Sequence, residues 1–119
     1  MYQQLQTIVF VKYNYSGLNK ISLGTGSGIF KLSDNYPNPF NPTTTITFSI
    51  PEKSFVTLKV YDMLGREVAE FVNEELETGS FEKTFDANNL ASGIYIYRIT
   101  AMKDGKIFFN ESRRMLLIK

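Results

Sequence analysis

Apolar and polar residues alternate along most of the chain from Thr43 onward. A period of two is typical of β-strands that have one buried face. The residues that would share a buried face in successive runs are Thr44, Ile46, Phe48 and Ile50, then Val56, Leu58 and Val60, then Tyr95, Tyr97, Ile99 and Ala101. The pattern therefore predicts strands that each contribute one face to a core.

Short turn signals separate these runs. Residues 51–53 form the first turn, and residues 62–66 form the second, with Gly65 at the natural position for a positive φ angle. Asp104-Gly105 predicts a hairpin. Further strands are predicted at 67–72, around Phe81 and Phe85 up to Asp86, and at 107–119, with an acidic loop at 73–79. The chain is predicted to be all-β, an antiparallel immunoglobulin-like or Greek-key sandwich of about seven strands.

Three of the four prolines lie within residues 35–42. Each proline fixes its own φ angle and moves the preceding residue out of the helical region, so Tyr36, Asn38 and Asn41 should be extended or in turns. Asparagine favours such bends because its side chain hydrogen-bonds to nearby backbone. We interpret the segment as a rigid proline elbow between two regions, made of Tyr36, Pro37, Asn38, Pro39, Phe40, Asn41 and Pro42.

Residues 90–95 read Leu-Ala-Ser-Gly-Ile-Tyr, with the tyrosine near the start of a predicted strand. This placement is typical of the tyrosine corner of Greek-key sandwiches, in which the tyrosine hydroxyl binds backbone a few residues upstream. We therefore expect the Tyr95 ring in the core and its hydroxyl bonded to the preceding loop.

The first 31 residues differ from the rest. Residues 6–15 and 21–23 are rich in β-forming side chains, and they are either the tail of a preceding β domain or strands that pair with the main sheet. A flexible Gly/Ser-rich linker follows at 24–28. We predict an N-terminal segment at 1–31 and a C-terminal domain at 32–119. The start lacks the pattern of a signal peptide, and we expect the chain to be the C-terminal piece of a longer protein.

Composition removes several kinds of chemistry. The chain has no histidine and no cysteine, which removes Ser-His-Asp and Cys-His nucleophiles and the usual zinc ligands. A net charge of +1 gives no reason to expect nucleic acid or an anionic membrane as a partner. The carboxylates considered for catalysis all lie where solvated surface groups are expected: Asp34, Asp62, Glu67, Glu74, Glu75 and Glu77. We expect no catalytic site, no cofactor and no metal.

Two kinds of binding site compete with that expectation. Hard oxygen ligands for calcium are available near the elbow from Asp34, Asn35, Asn38 and Asn41, but their spacing is irregular, and turn stabilisation is the simpler explanation. A sugar-stacking platform could use Tyr36, Phe40, Phe55, Tyr61 and Tyr97. Aromatic side chains at alternate strand positions more often lie in a core.

The end of the chain carries four consecutive apolar residues, 115–118, before Lys119. A half-buried edge strand would normally alternate instead. Either both faces of this strand are covered, or the strand is exposed and available to a receptor by β-augmentation. The sequence leaves both interpretations open.

Four motifs occur in order along residues 32–119. They are residues 35–42, residues 60–62 with 65–68, residues 91–95, and a basic-apolar ending closed by Lys119. Together they resemble the C-terminal sorting domain, type A, of proteins exported by the type IX (Por) secretion system of Bacteroidetes. The domain is also similar to the immunoglobulin-like domain of flagellar hook-capping proteins, which supports the predicted sandwich.

The resemblance implies a non-catalytic sorting signal that sends an N-terminal cargo domain across the periplasm and outer membrane to the cell surface or the medium. The implied partners are the translocon, a shuttle receptor and a sortase-like peptidase of the outer-membrane secretion machinery. The implied recognition residues are Gly93, Tyr95, Arg113, Arg114, Met115, Leu116, Leu117, Ile118 and Lys119. The implied cleavage linker is Gly24, Thr25, Gly26, Ser27, Gly28, Ile29 and Phe30. The proline elbow would then be structural.

Two other functions stay open on the sequence. One is a surface adhesion module that binds glycan or calcium, and the other is a rigid spacer or assembly module like the hook-capping domain.

Overall fold

The computed structural model describes residues 18–23 and 29–119, which form two four-stranded antiparallel sheets. The strands are β1 (Leu18–Leu23), β2 (Lys31–Leu32), β3 (Thr43–Ile50), β4 (Ser54–Tyr61), β5 (Glu67–Leu76), β6 (Gly79–Asp86), β7 (Gly93–Lys103) and β8 (Lys106–Leu117). Over these residues there is no helix long and apolar enough to cross a membrane. The all-β prediction is confirmed.

The first sheet has the order β1-β6-β3-β2, and the second has the order β5-β4-β7-β8. The pairs β4–β5 and β7–β8 are hairpins within the second sheet, whereas β3 to β4, β5 to β6 and β6 to β7 cross between the sheets. This order is consistent with an immunoglobulin-like arrangement, with β2, β3 and β6 in one layer and the hairpins in the other. The prediction of an antiparallel sandwich is confirmed.

The core lies between the sheets and takes its residues from the predicted faces. Alternation follows from the pleat of each strand, which sends successive side chains to opposite faces. Buried residues from the two sheets include Ile46, Phe48, Ile50, Phe81 and Phe85 from the first, and Val56, Leu58, Val60, Tyr97 and Ile99 from the second. The side-chain directions predicted for β3, β4 and β7 are therefore correct.

Strand β5 is longer than predicted. Leu58 pairs with Val72 and Lys59 pairs with Glu70, so Phe71 is an extra residue in a bulge. Phe71 and Val72 are consequently both buried, and the alternation continues in a new phase to Leu76. The predicted acidic loop at 73–79 is wrong because the bulge breaks the period on which the prediction depended.

Residues 18–23 pair with the main sheet, which answers one question the sequence left open. β1 lies antiparallel to β6, and the buried Leu18 belongs to the core cluster. This strand and the two-residue β2, which the sequence pattern did not predict, bring the count among the described residues to eight, against about seven predicted. The predicted strand at 6–15 lies outside the described residues, and the domain boundary after residue 31 stays a prediction.

The tyrosine corner is confirmed. The hydroxyl of Tyr95 donates a hydrogen bond to the backbone oxygen of Ala91 at 2.6 Å, and the ring is buried. Gly93, between them, has a φ angle of +154°, which side chains rarely adopt. The corner therefore fixes the point where the chain enters β7.

We predict that Tyr95→Phe lowers the free energy of unfolding by about 1 kcal/mol, because a buried hydrogen bond is lost while the ring stays in place. The matched control is Tyr36→Phe, which removes the same hydroxyl from an exposed ring and should change stability by less than about 0.5 kcal/mol. Urea denaturation of both variants measures the difference. Equal effects at the two positions would contradict the structural role of the corner.

Candidate functional site

The end of β8 alternates between core and surface. Met115 and Leu117 are 1% and 0% exposed, whereas Leu116 and Ile118 are 36% and 48% exposed. The run of apolar residues therefore does not have both faces covered. It is a half-buried strand whose outward side chains are also apolar, and the strand itself ends at Leu117 rather than at Lys119.

The proline elbow covers the outer edge of this strand. The amide of Phe40 donates to the oxygen of Leu116 at 3.0 Å, and the amide of Ile118 donates to the oxygen of Phe40 at 2.9 Å. The amide of Leu116 donates to Oδ1 of Asn38 at 3.0 Å. The backbone edge at 116–118 is occupied, so the interpretation as an edge open to β-augmentation is wrong for these residues.

The elbow is also fixed to the first sheet. Tyr36 and Thr45 exchange two backbone hydrogen bonds of 2.9 Å. Nδ2 of Asn35 donates to the hydroxyl of Thr44, and that hydroxyl donates to the oxygen of Pro37. The ring of Phe40, 2% exposed, enters the core beside Phe85. The elbow is non-helical as predicted, and it joins β3 of one sheet to β8 of the other.

A second link between the sheets lies just before the elbow. Nε of Arg113 donates to the oxygen of Leu32 at 2.9 Å, and its guanidinium also pairs with Asp34 at 2.9 Å. The hydroxyl of Tyr97 donates to the oxygen of Ser33 at 2.7 Å, and burial raises the pKa of Tyr97 to about 12. Arg113, predicted as a recognition residue, has these structural contacts.

The loop before β7 holds the last residue. The amide of Lys119 donates to Oγ of Ser92 at 3.0 Å, and its Nζ donates to the oxygen of Asn88 at 2.6 Å. Lys119 and Arg114 are exposed. The tyrosine corner and the chain end are therefore close together in space.

These contacts separate six of the predicted recognition residues into core and outward positions, while Arg113 and Lys119 bond to backbone oxygens of other segments. Tyr95, Met115 and Leu117 are buried in the core. Four exposed side chains form one surface: Ile94 pairs with Leu116 in register, and Arg114 and Ile118 lie two residues before and two residues after Leu116. We call this surface the terminal face: Ile94, Arg114, Leu116 and Ile118. A shallow groove that includes Asp34 and Asn38 runs beside it.

The carboxylates considered for catalysis are used in surface contacts. Asp62 accepts hydrogen bonds from the amides of Leu64 and Arg66 and from the Arg66 guanidinium, and these bonds, that of the Arg66 amide first, hold the pKa of Asp62 below its usual value. Of the other carboxylates in this set, Glu67 pairs with Lys59, Glu75 and Glu77 pair with Lys53, and Asp34 pairs with Arg113 as described above.

Two of the residues considered for calcium use their side-chain oxygens in other contacts. Asp34 pairs with Arg113, and Oδ1 of Asn38 accepts from the amide of Leu116. Within the described residues, no group of three or more acidic side chains is placed to hold a metal ion. The aromatic set also divides, since Phe40 and Tyr97 are buried while Tyr36 is exposed. Core packing accounts for Phe40 and Tyr97, and not for the exposed Tyr36 and Phe55.

Comparison with protein families identifies the domain. A family model described as a secretion system C-terminal sorting domain matches residues 34–108, more than half of the chain. The chain belongs to this family. The match covers the proline elbow and the tyrosine corner, and it ends before the last residues of β8. The predicted role of Arg113 to Lys119 in this sorting domain therefore stays a prediction.

Other comparisons concern the fold alone. A search of curated proteins found no match. Three chains of known structure match the sorting domain. One is CopC from Methylosinus trichosporium OB3b, which is 17% identical, with a TM-score of 0.50 over 75% of this chain and 93% of that chain. A likeness at this identity supports the sandwich and carries no information on function.

The contact of Asn38 with Leu116 had no sequence signal beyond the turn preference of an asparagine between two prolines. We predict that Asn38→Ala makes the Leu116 amide exchange with deuterium about fivefold faster, because it removes a hydrogen bond of about 1 kcal/mol. The matched control is Asn41→Ala, whose side chain is exposed. Residue-resolved hydrogen exchange measures both. Unchanged exchange in Asn38→Ala would show that this bond does not protect the strand.

We predict that part of the alkaline loss of stability comes from Tyr97. The pKa of Tyr97 is about 12 in the folded protein against an ordinary value of 10.0. The unfolded chain therefore loses this proton first, and the contribution of Tyr97 to the free energy of unfolding is complete below pH 10 and is lost as the pH rises from about 10 to about 12. Tyr97→Phe should therefore lose less stability over this range, by on the order of 2 kcal/mol. Urea midpoints at several alkaline pH values compare the two proteins. Parallel curves would contradict the assignment.

Proposed function

We propose that residues 32–119 form a non-catalytic C-terminal sorting signal that directs a cargo domain, N-terminal to it, through the type IX secretion system to the cell surface or the medium. The family match over residues 34–108 is the observation that carries this proposal. The partners would be a shuttle receptor, the translocon and a sortase-like peptidase at the outer membrane.

The signal would be read as a folded surface rather than as an extended peptide. Met115 and Leu117 are committed to the core, and the edge at 116–118 is bonded to the elbow. A receptor can therefore reach the outward side chains of the terminal face without unfolding the domain. Three apolar side chains beside one arginine suit a small interface in which buried anchors supply most of the binding energy.

Cleavage would fall in the linker before β2. Ile29 is exposed, but the ring of Phe30 stacks on Phe109 with centroids 4.9 Å apart and contacts the edge of Phe108. Peptidases need an extended, accessible backbone. We therefore place the cut on the N-terminal side of Phe30, with Gly24–Gly28, outside the described residues, as the main candidates.

The test is export of a fluorescent reporter fused to residues 1–119 in a bacterium that has this secretion system. The double variant Leu116→Ser, Ile118→Ser should reduce export about tenfold or more, because anchor residues at an interface contribute about 2 kcal/mol or more each. The matched control is Phe55→Ser, Ile107→Ser, which removes two exposed apolar side chains at the opposite end of the second sheet, where both residues are in register with Met102.

Both double variants should unfold at nearly the same urea concentration as the unmodified domain, because exposed substitutions change stability by about 0.5 kcal/mol or less. Retention of the unmodified fusion inside the cell would contradict the sorting function. Normal export of the Leu116, Ile118 variant would place recognition elsewhere on the domain.

A further inference from the structure

β1 occupies one edge of the first sheet but lies outside the region that the family model matches. Its register with β6 runs from Leu18 opposite Lys83 to Leu23 opposite Gly79, with an irregularity between Lys20 and Ser22. Leu18 is 2% exposed and belongs to the core cluster. The matched region begins at residue 34, so within the matched residues of this chain β6 has no strand on its outer side.

β6 has a feature that is typical of strands at a sheet edge. Lys83 lies in the inward row with the buried Phe81 and Phe85, and in register it stands between Leu18 and Ile46. Its ammonium group is 5.3 Å from the centroid of the Phe71 ring, and burial lowers its pKa. Natural sandwiches use inward-pointing charges to keep open edges from pairing with other chains. A permanently internal strand would not need one.

We propose that the outer edge of β6 is a strand-acceptor site, and that its ligand is the separable extended segment Leu18–Leu23. The site takes an extended peptide whose apolar side chain enters the core opposite Lys83, while backbone hydrogen bonds supply the rest of the contact. When the segment leaves, the charge of Lys83 keeps the open edge of β6 from pairing with other chains.

One consequence rests on the proposed function. Hydrolysis of a peptide bond before Phe30 adds one water molecule across that bond and leaves β1 on the cargo side of the cut. The cargo then remains attached to the domain through the β1–β6 pairing. Cleavage and release are therefore separate steps, and the second requires the strand to leave its edge.

The test uses the full chain with the recognition sequence of a site-specific protease inserted between Gly26 and Ser27. The purified protein is cut in vitro, and size-exclusion chromatography with mass spectrometry follows the two fragments. We expect the fragments to elute together after dilution to micromolar concentration. Leu18→Ser should weaken their association about tenfold or more, because it removes a buried leucine side chain from the interface without placing a charge opposite Lys83. Leu64→Ser, the same change at an exposed position, should leave it unchanged.

Three results would overturn the proposal. Fragments of the unmodified protein that separate at once would show that the edge does not hold the segment. Association of the Leu18→Ser fragments as tight as that of the Leu64→Ser control would show that the buried contact of Leu18 does not hold the segment. Loss of cooperative unfolding in uncut Leu18→Ser would show that β1 is an integral strand rather than a separable one. None of these measurements involves export, so they are independent of the sorting function.

Discussion

The structure depends on how the sandwich satisfies the backbone edge of its last strand. An edge strand presents amide and carbonyl groups that must find partners or remain open to other chains. Here the proline elbow supplies them through Phe40 and Asn38. Because prolines lack an amide hydrogen and hold their neighbours extended, the elbow cannot continue into a regular strand, and it bonds to β8 over residues 116–118 only.

This arrangement separates stability from recognition within a short segment. Alternate residues at the end of β8 belong to the core or to the terminal face, so neighbouring substitutions test different properties. Replacing Met115 or Leu117 creates a cavity, and the resulting loss of export would follow from unfolding. Substitutions of Leu116, Ile118 and Arg114 should have little effect on the fold, so a change in export would test recognition by a partner.

Local patterns predicted most of the fold. The alternation in β3, β4 and β7 gave the correct inward faces because each strand has one face in the core, and the leucine-to-tyrosine motif at residues 90–95 predicted the bond from Tyr95 to Ala91. The bulge at Phe71 could not be predicted, since it depends on pairing with β4. The contact of Asn38 with Leu116 joins residues 78 positions apart. The resemblance named the residues at the end of the chain, but only the fold decides which of them face outward.

The order of contacts along the chain also determines the order in which a pulling force would break them. A force applied to the N-terminal side meets β1 first, which is held at a sheet edge, and then the two-residue β2 and the ring of Phe30. The elbow comes next, and its hydrogen bonds to Leu116 and Ile118 hold the backbone of the terminal face. Peeling the chain from this end therefore breaks the outer attachments one after another, and the load reaches the terminal face last.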